Sequence, residues 1–169
     1  MRTAWWCAPA FLAACGGSDP SASAVAHDPC APLAIHASAA TAAEQAGITG
    51  ALALWRDRGV TAFVDLAADL AAGDPATATI DVKFETAGDA FHGLYVPDEA
   101  SVLINRDLTD PADASALAIV IAHELGHAFG LVHIDPAVRP SLMNPGNVIT
   151  PPTDGDQRAL EALWGSCPR

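Results

Sequence analysis

Residues 123–133 read His-Glu-Leu-Gly-His-Ala-Phe-Gly-Leu-Val-His, and no other phrase in the chain restricts its fold so much. His123 and His127 are four residues apart. On an α-helix that spacing puts two imidazoles on one face, one turn from each other. Both ring nitrogens can then reach a single ion at the roughly 2.0–2.1 Å that zinc prefers. Glu124 sits beside the first imidazole, close enough to hold a water on the ion without ligating it. Gly130 lets the chain leave the helix by a sharp turn, and His133 can swing back as a third ligand. Three protein ligands leave a fourth position open, whereas a structural zinc is closed by four. The plainer reading, two surface histidines on an amphipathic helix, leaves Gly130 and His133 unexplained.

The segments around this helix read as α+β. Leu33–Ala37 alternates and predicts a first strand. Thr41–Arg58 carries apolar residues at helical spacing, ending in Leu52, Leu54 and Trp55, and Gly59 stops it. Val60–Leu66 and Ile80–Phe84 predict two further strands. Phe91–Val96 and Val102–Asn105 predict two more, joined by a turn over 97–101. Asp110 and Pro111 are expected to cap and open the helix of the histidines, which runs from Ala114 to Phe129. Residues 131–152 are proline-rich and without periodicity, hence an irregular loop. Thr153 to Asp156 caps a last helix, Gln157–Trp164, stopped by Gly165. Strands with one early helix, then two helices, give an α+β class with a mixed sheet.

At 169 residues the chain has room for one domain. Its 51% hydrophobic content supports a buried core. Eight Lys and Arg against 20 Asp and Glu leave a net charge of -12, so the chain cannot build a large basic face and no nucleic-acid partner is expected. The first residues read as an address. Arg2 precedes an apolar run to Leu12, and Leu12-Ala13-Ala14-Cys15 resembles the bacterial lipobox. That resemblance implies a signal peptide over 1–14, a diacylglyceryl group on Cys15, and a flexible tether over 15–29 ahead of a domain spanning 30–169. The expected location is the bacterial cell envelope, with the membrane reached through the lipid. Ordinary secretion after Ala22-Ser23-Ala24 is the alternative. With Cys7 in the signal and Cys15 lipidated, Cys30 and Cys167 remain, and two cysteines in an oxidising compartment are expected to pair. Closing a loop of about 137 residues stabilises by roughly 4–5 kcal/mol in the chain-entropy account.

The phrase from Ile121 to His133, followed by Met143, resembles the metzincin zinc peptidases, and its wording is closest to the matrixin branch. The resemblance implies a five-stranded mixed sheet with two helices above a cleft, and a small C-terminal subdomain holding a Met-turn and the last helix. It implies one catalytic zinc on His123, His127 and His133, with Glu124 as the base that activates a zinc-bound water. Met143 would form an apolar floor. A protein or peptide substrate would lie extended along Gly93, Leu94 and Tyr95, with Pro145, Gly146 and Asn147 walling the specificity pocket. Ile134 departs from the matrixin pattern, and no loop matches that branch's calcium or structural zinc sites, so calcium is left open. In matrixins a propeptide cysteine keeps the enzyme latent, and Cys30 offers that second reading against the disulfide. The chain is expected to be a monomer. The alternative function is a metal-binding or adhesive surface lipoprotein without turnover.

Overall fold

A computed structural model describes residues 26–61, 63–64, 77–110 and 113–167. In order these form β1 (Leu33–His36), α1 (Ala42–Arg56), β2 (Phe63–Val64), β3 (Ala78–Glu85), β4 (Gly93–Val96), a 3₁₀ turn (Pro97–Glu99), β5 (Ser101–Asn105), α2 (Ala114–Ala128) and α3 (Asp154–Trp164). The five strands make one mixed sheet in the order β2-β1-β3-β5-β4. β1 pairs parallel with β2 and β3, and β3 parallel with β5. β4 pairs antiparallel with β5, Gly93 opposite Ile104 and Val96 opposite Ser101, and forms the outer edge. No helix among the described residues is long and apolar enough to cross a membrane.

Several boundaries differ from the sequence expectation, each for a local reason. Val60 is buried but not in a strand, because its N–H closes the end of α1 on the Trp55 carbonyl, after Gly59 at φ 88°. Residues 62 and 65–66 of the predicted second strand lie outside the described residues. β4 starts at Gly93 rather than Phe91, since the Asn105 side chain takes the Phe91 carbonyl. Asp113, not Asp110, caps α2: its carboxylate accepts from the Ala116 N–H at 3.0 Å. α3 begins at Asp154, three residues earlier than predicted, because Thr153 and Asp156 form a reciprocal capping box.

α2 is the centre of the molecule. From Leu117 to Gly126 every residue is buried, since α1 covers one side and β4 and β5 another. The contact with α1 is close because glycines face it. A Cβ on Gly47 would meet Leu117 at 2.6 Å, and one on Gly50 would meet the Ala118 methyl at 3.0 Å. Trp55 then reaches across, donating its indole N–H to the Ala122 carbonyl at 2.9 Å and meeting Phe129 edge-on at 5.6 Å. At the far end of the chain a disulfide joins Cys30 to Cys167, as the cysteine count predicts, so Cys30 is not a free thiol in this fold.

The glycine contact makes a test. Gly47→Ala should destabilise by about 1–3 kcal/mol through overpacking against a buried leucine, read as a lower denaturant midpoint at unchanged slope. A variant as stable as the parent would show that the helices can separate freely at this point.

Candidate metal centre

The first two imidazoles are placed by α2 and oriented by carbonyls from outside it. His123 Nδ1 bonds the Leu142 carbonyl at 2.7 Å, and His127 Nδ1 bonds the Leu131 carbonyl at 2.9 Å. A carbonyl only accepts, so both rings carry their proton on Nδ1 and leave Nε2 as a bare lone pair. Gly130, at φ 89°, turns the chain after α2, and Leu131 N–H returns to the Gly126 carbonyl. That reversal brings His133 back over the helix. Its Nε2 lies 3.2 Å from His123 Nε2 and 3.1 Å from His127 Nε2.

The three histidines form a group able to hold a metal ion, and their chemistry favours zinc. An N–H on His133 Nε2 could serve the two facing lone pairs only in part, whereas a cation between the three nitrogens satisfies all of them. Nitrogens 2.0–2.1 Å from a tetrahedral zinc would be about 3.3–3.4 Å apart, close to what the rings already show. Each oriented ring also has the carbonyl partner that zinc-binding histidines characteristically use.

Loop 131–152 completes the floor and one wall. Met143 is buried beneath α2, its sulfur 2.6 Å from where a Cβ on Gly126 would stand, so only glycine fits above it. The Met143 carbonyl accepts from Ile134 N–H at 2.9 Å, fixing the residue next to His133. Asp156 holds this loop from the far side. Its buried carboxylate accepts from Ser141 Oγ, from Leu142 N–H at 3.0 Å and from the Thr153 N–H and hydroxyl at 2.8 Å each, and it pairs with Arg139 at 3.1 Å. Burial alone would raise this carboxyl, but the hydrogen bonds outweigh it and hold the group below its ordinary value. Leu142 therefore gives its N–H to Asp156 and its carbonyl to His123. Thr153 and Asp156 are legible as a cap in the sequence; nothing in the sequence signals that the same carboxylate orients a loop fourteen residues away.

Glu124 is 6% exposed and lies under the edge strand. A Cβ on Gly93 would stand 2.7 Å from its Cγ and 2.8 Å from Oε1, so glycine is required for β4 to pass this close. Burial pushes the Glu124 carboxyl up to about 8, against a hydrogen bond from the Tyr95 backbone that favours the ionised form. Burial, and next the His127 charge, bring His123 down to about 4. A cleft of about 220 Å³ opens here, bounded by Gly93, Val120, His123, Glu124, His133 and the loop Pro145-Gly146-Asn147. Of the predicted cleft residues, Gly93, Pro145, Gly146 and Asn147 meet there. Leu94 instead faces solvent at 44% exposure, and the Tyr95 ring is in the core. The predicted lipidation residue, Cys15, lies outside the described residues.

These two shifts set a pH dependence for metal-free protein. Folded Glu124 keeps a proton that the unfolded chain releases near 4.5, so stability falls as pH rises toward 8. Unfolded His123 takes up a proton near 6.5 that the folded ring refuses down to about 4, so stability falls as pH drops through that window. The slopes oppose one another between 4.5 and 6.5, and above 6.5 only Glu124 acts. In a chelator the protein should lose about 2 kcal/mol between pH 6.5 and 8, and Glu124→Gln should remove that loss. Denaturant melts across the range would decide it; an equal loss in the variant would contradict the assignment.

Residues 36–134, more than half of the chain, match the sequence profile described as metallo-peptidase family M12B, reprolysin-like. The match ends one residue beyond His133. No curated protein matches the chain. The branch therefore differs from the matrixins, whose wording around His123 the sequence shares; a motif of eleven residues marks the metal helix common to such peptidases, while the matched span takes in most of the sheet that carries it. With three imidazoles converging from a buried helix and the loop that follows it, and this span matched, the chain belongs to the reprolysin-like M12B metallo-peptidase family.

Proposed function

We propose that the protein is a zinc-dependent endopeptidase that hydrolyses peptide bonds in extended protein segments. The observation that carries this reading is Glu124: a carboxylate beside a three-histidine group, buried under a sheet edge and raised toward neutrality. A purely metal-holding scaffold has no use for an ionisable group kept out of water at that cost. When bound, zinc supplies Lewis acidity, lowering the pKa of a water and polarising a carbonyl.

The chain's own residues do the rest. His123, His127 and His133 hold the ion, the first two kept in one tautomer by Leu142 and Leu131. Glu124 takes the proton of the attacking water and returns it to the leaving amine, a task suited to a group titrating near the working pH. The Tyr95 N–H steadies the carboxylate. Gly93–Val96, the outer strand, offers backbone to an extended substrate by strand addition. Met143 acts as the floor of a Met-turn and takes no part in proton transfer. Export to the cell envelope through a lipid on Cys15 also belongs to this reading, supported by the apolar start of the chain and by a disulfide that an oxidising compartment favours.

Glu124→Ala should retain one zinc per chain and lose at least about a hundredfold in cleavage of an unfolded protein. His127→Ala should lose both zinc and cleavage, since two imidazoles compete poorly for the metal. Elemental analysis alongside a cleavage assay checks both. Undiminished cleavage by Glu124→Ala would refute the mechanism, and zinc without cleavage in the parent protein would leave a binding role instead.

A further inference from the structure

The loop leading into β4 brings one more side chain to the cleft. His92 lines it together with Phe91 and Gly93, opposite Glu124 and the Pro145–Asn147 wall. The backbone carrying His92 is firmly held by Asn105, which is fully buried. The Asn105 amide donates to the carbonyls of Gly88 at 2.7 Å and Phe91 at 2.8 Å, and its oxygen accepts from Ala87 and Asp107 at 3.0 Å each. The Asn105 backbone N–H then takes the His92 carbonyl at 3.0 Å. The point from which this imidazole enters the cleft is therefore fixed by the backbone.

Among the polar side chains at this cleft, the others have work already. His123 and His133 belong to the metal group and Glu124 stands beside it. Asn147 has both ends of its amide engaged, donating to the Leu142 and Thr150 carbonyls and accepting from the Ile149 and Thr150 N–H groups. The His92 ring makes no hydrogen bond among the described residues. The neighbouring walls, Phe91 and Val120, are apolar. A substrate side chain entering the cleft therefore meets two apolar surfaces and one uncommitted imidazole, which carries at least one N–H whatever its charge.

The geometry points to His92 as the residue that sets side-chain selectivity in this cleft, through an N–H that favours a substrate residue ending in a carbonyl or carboxyl oxygen, glutamine or glutamate, next to the scissile bond. The inference rests on the peptidase reading above. The physical reason is asymmetry: a side chain with an acceptor satisfies the ring, whereas an apolar chain of the same shape displaces water and leaves the N–H unbonded. Methionine is the sharp comparison, since it nearly matches glutamine in length and volume.

The test uses the zinc-loaded full chain and peptide pairs that differ only in glutamine or methionine, placed in turn before and after the cleaved bond, with the cut mapped by mass; the comparison is made at whichever of the two positions is the more selective. The parent protein should favour glutamine by about tenfold in kcat/KM. His92→Leu should abolish or reverse that preference, and His92→Gln, which keeps an N–H donor, should restore part of it. The same order should appear in equilibrium binding of the peptides to the Glu124→Ala protein, a readout independent of turnover. A parent that favours methionine, or a glutamine preference unchanged in His92→Leu, would overturn the assignment and leave the peptidase reading standing. If neither the peptides nor any unfolded protein is cut in a Glu124-dependent way, the peptidase reading fails and the subsite with it.

Discussion

The metal group depends on a carboxylate that never touches it. Asp156, in the first turn of α3, holds Ser141 and the Leu142 N–H, and the Leu142 carbonyl in turn fixes His123. The loop 131–152 contains neither helix nor strand, so its shape rests on such side-chain bonds, with Asn144 and Asn147 bridging its backbone from within and Asp156 holding it from outside. The position of the first imidazole is thus decided by the last helix, more than thirty residues further along the chain. Such outer partners are known to matter nearly as much as the ligands themselves. Here the outer partner also closes the capping box of α3, so one side chain begins a helix and orients a ligand.

The same economy explains why α2 is buried so fully. The first imidazole and the carboxylate beside it stand in a dry place, yet each resists being there. Glu124 is raised and His123 lowered by the same cause, burial. Their costs run in opposite directions with pH, and both are relieved by a cation among the three rings. Glycines make the dryness possible: Gly47 and Gly50 admit α1, Gly93 admits β4, and Gly126 admits Met143. Each is a point where the absence of a side chain lets another element come within contact of the helix.

Much of the site was legible because a helix converts spacing into geometry. His123, Glu124 and His127 follow from period alone, and Gly130 with His133 from one turn. Strands and their alternation were legible as well, down to β4, though not its place at the edge, which depends on pairings between residues far apart. What escaped was carried by side chains bonding to remote backbone. Asn105 cutting β4 short at Gly93, Asp113 displacing Asp110 as the cap, and Asp156 reaching Leu142 leave no periodic trace. The matrixin likeness misled on branch for the opposite reason, since a short phrase dictated by metal geometry is shared across branches, while the profile match extends over residues 36–134.

The bond between Cys30 and Cys167 has a consequence for any break in the backbone between them. It turns the described domain into a covalent ring. A single cut anywhere between the two cysteines, in the long loop 131–152 for instance, opens the ring without releasing a piece. The nicked molecule keeps its mass apart from one added water, and only a reducing agent would separate its halves. Backbone breaks would therefore accumulate silently, as scars inside intact-looking particles, instead of appearing as lost fragments.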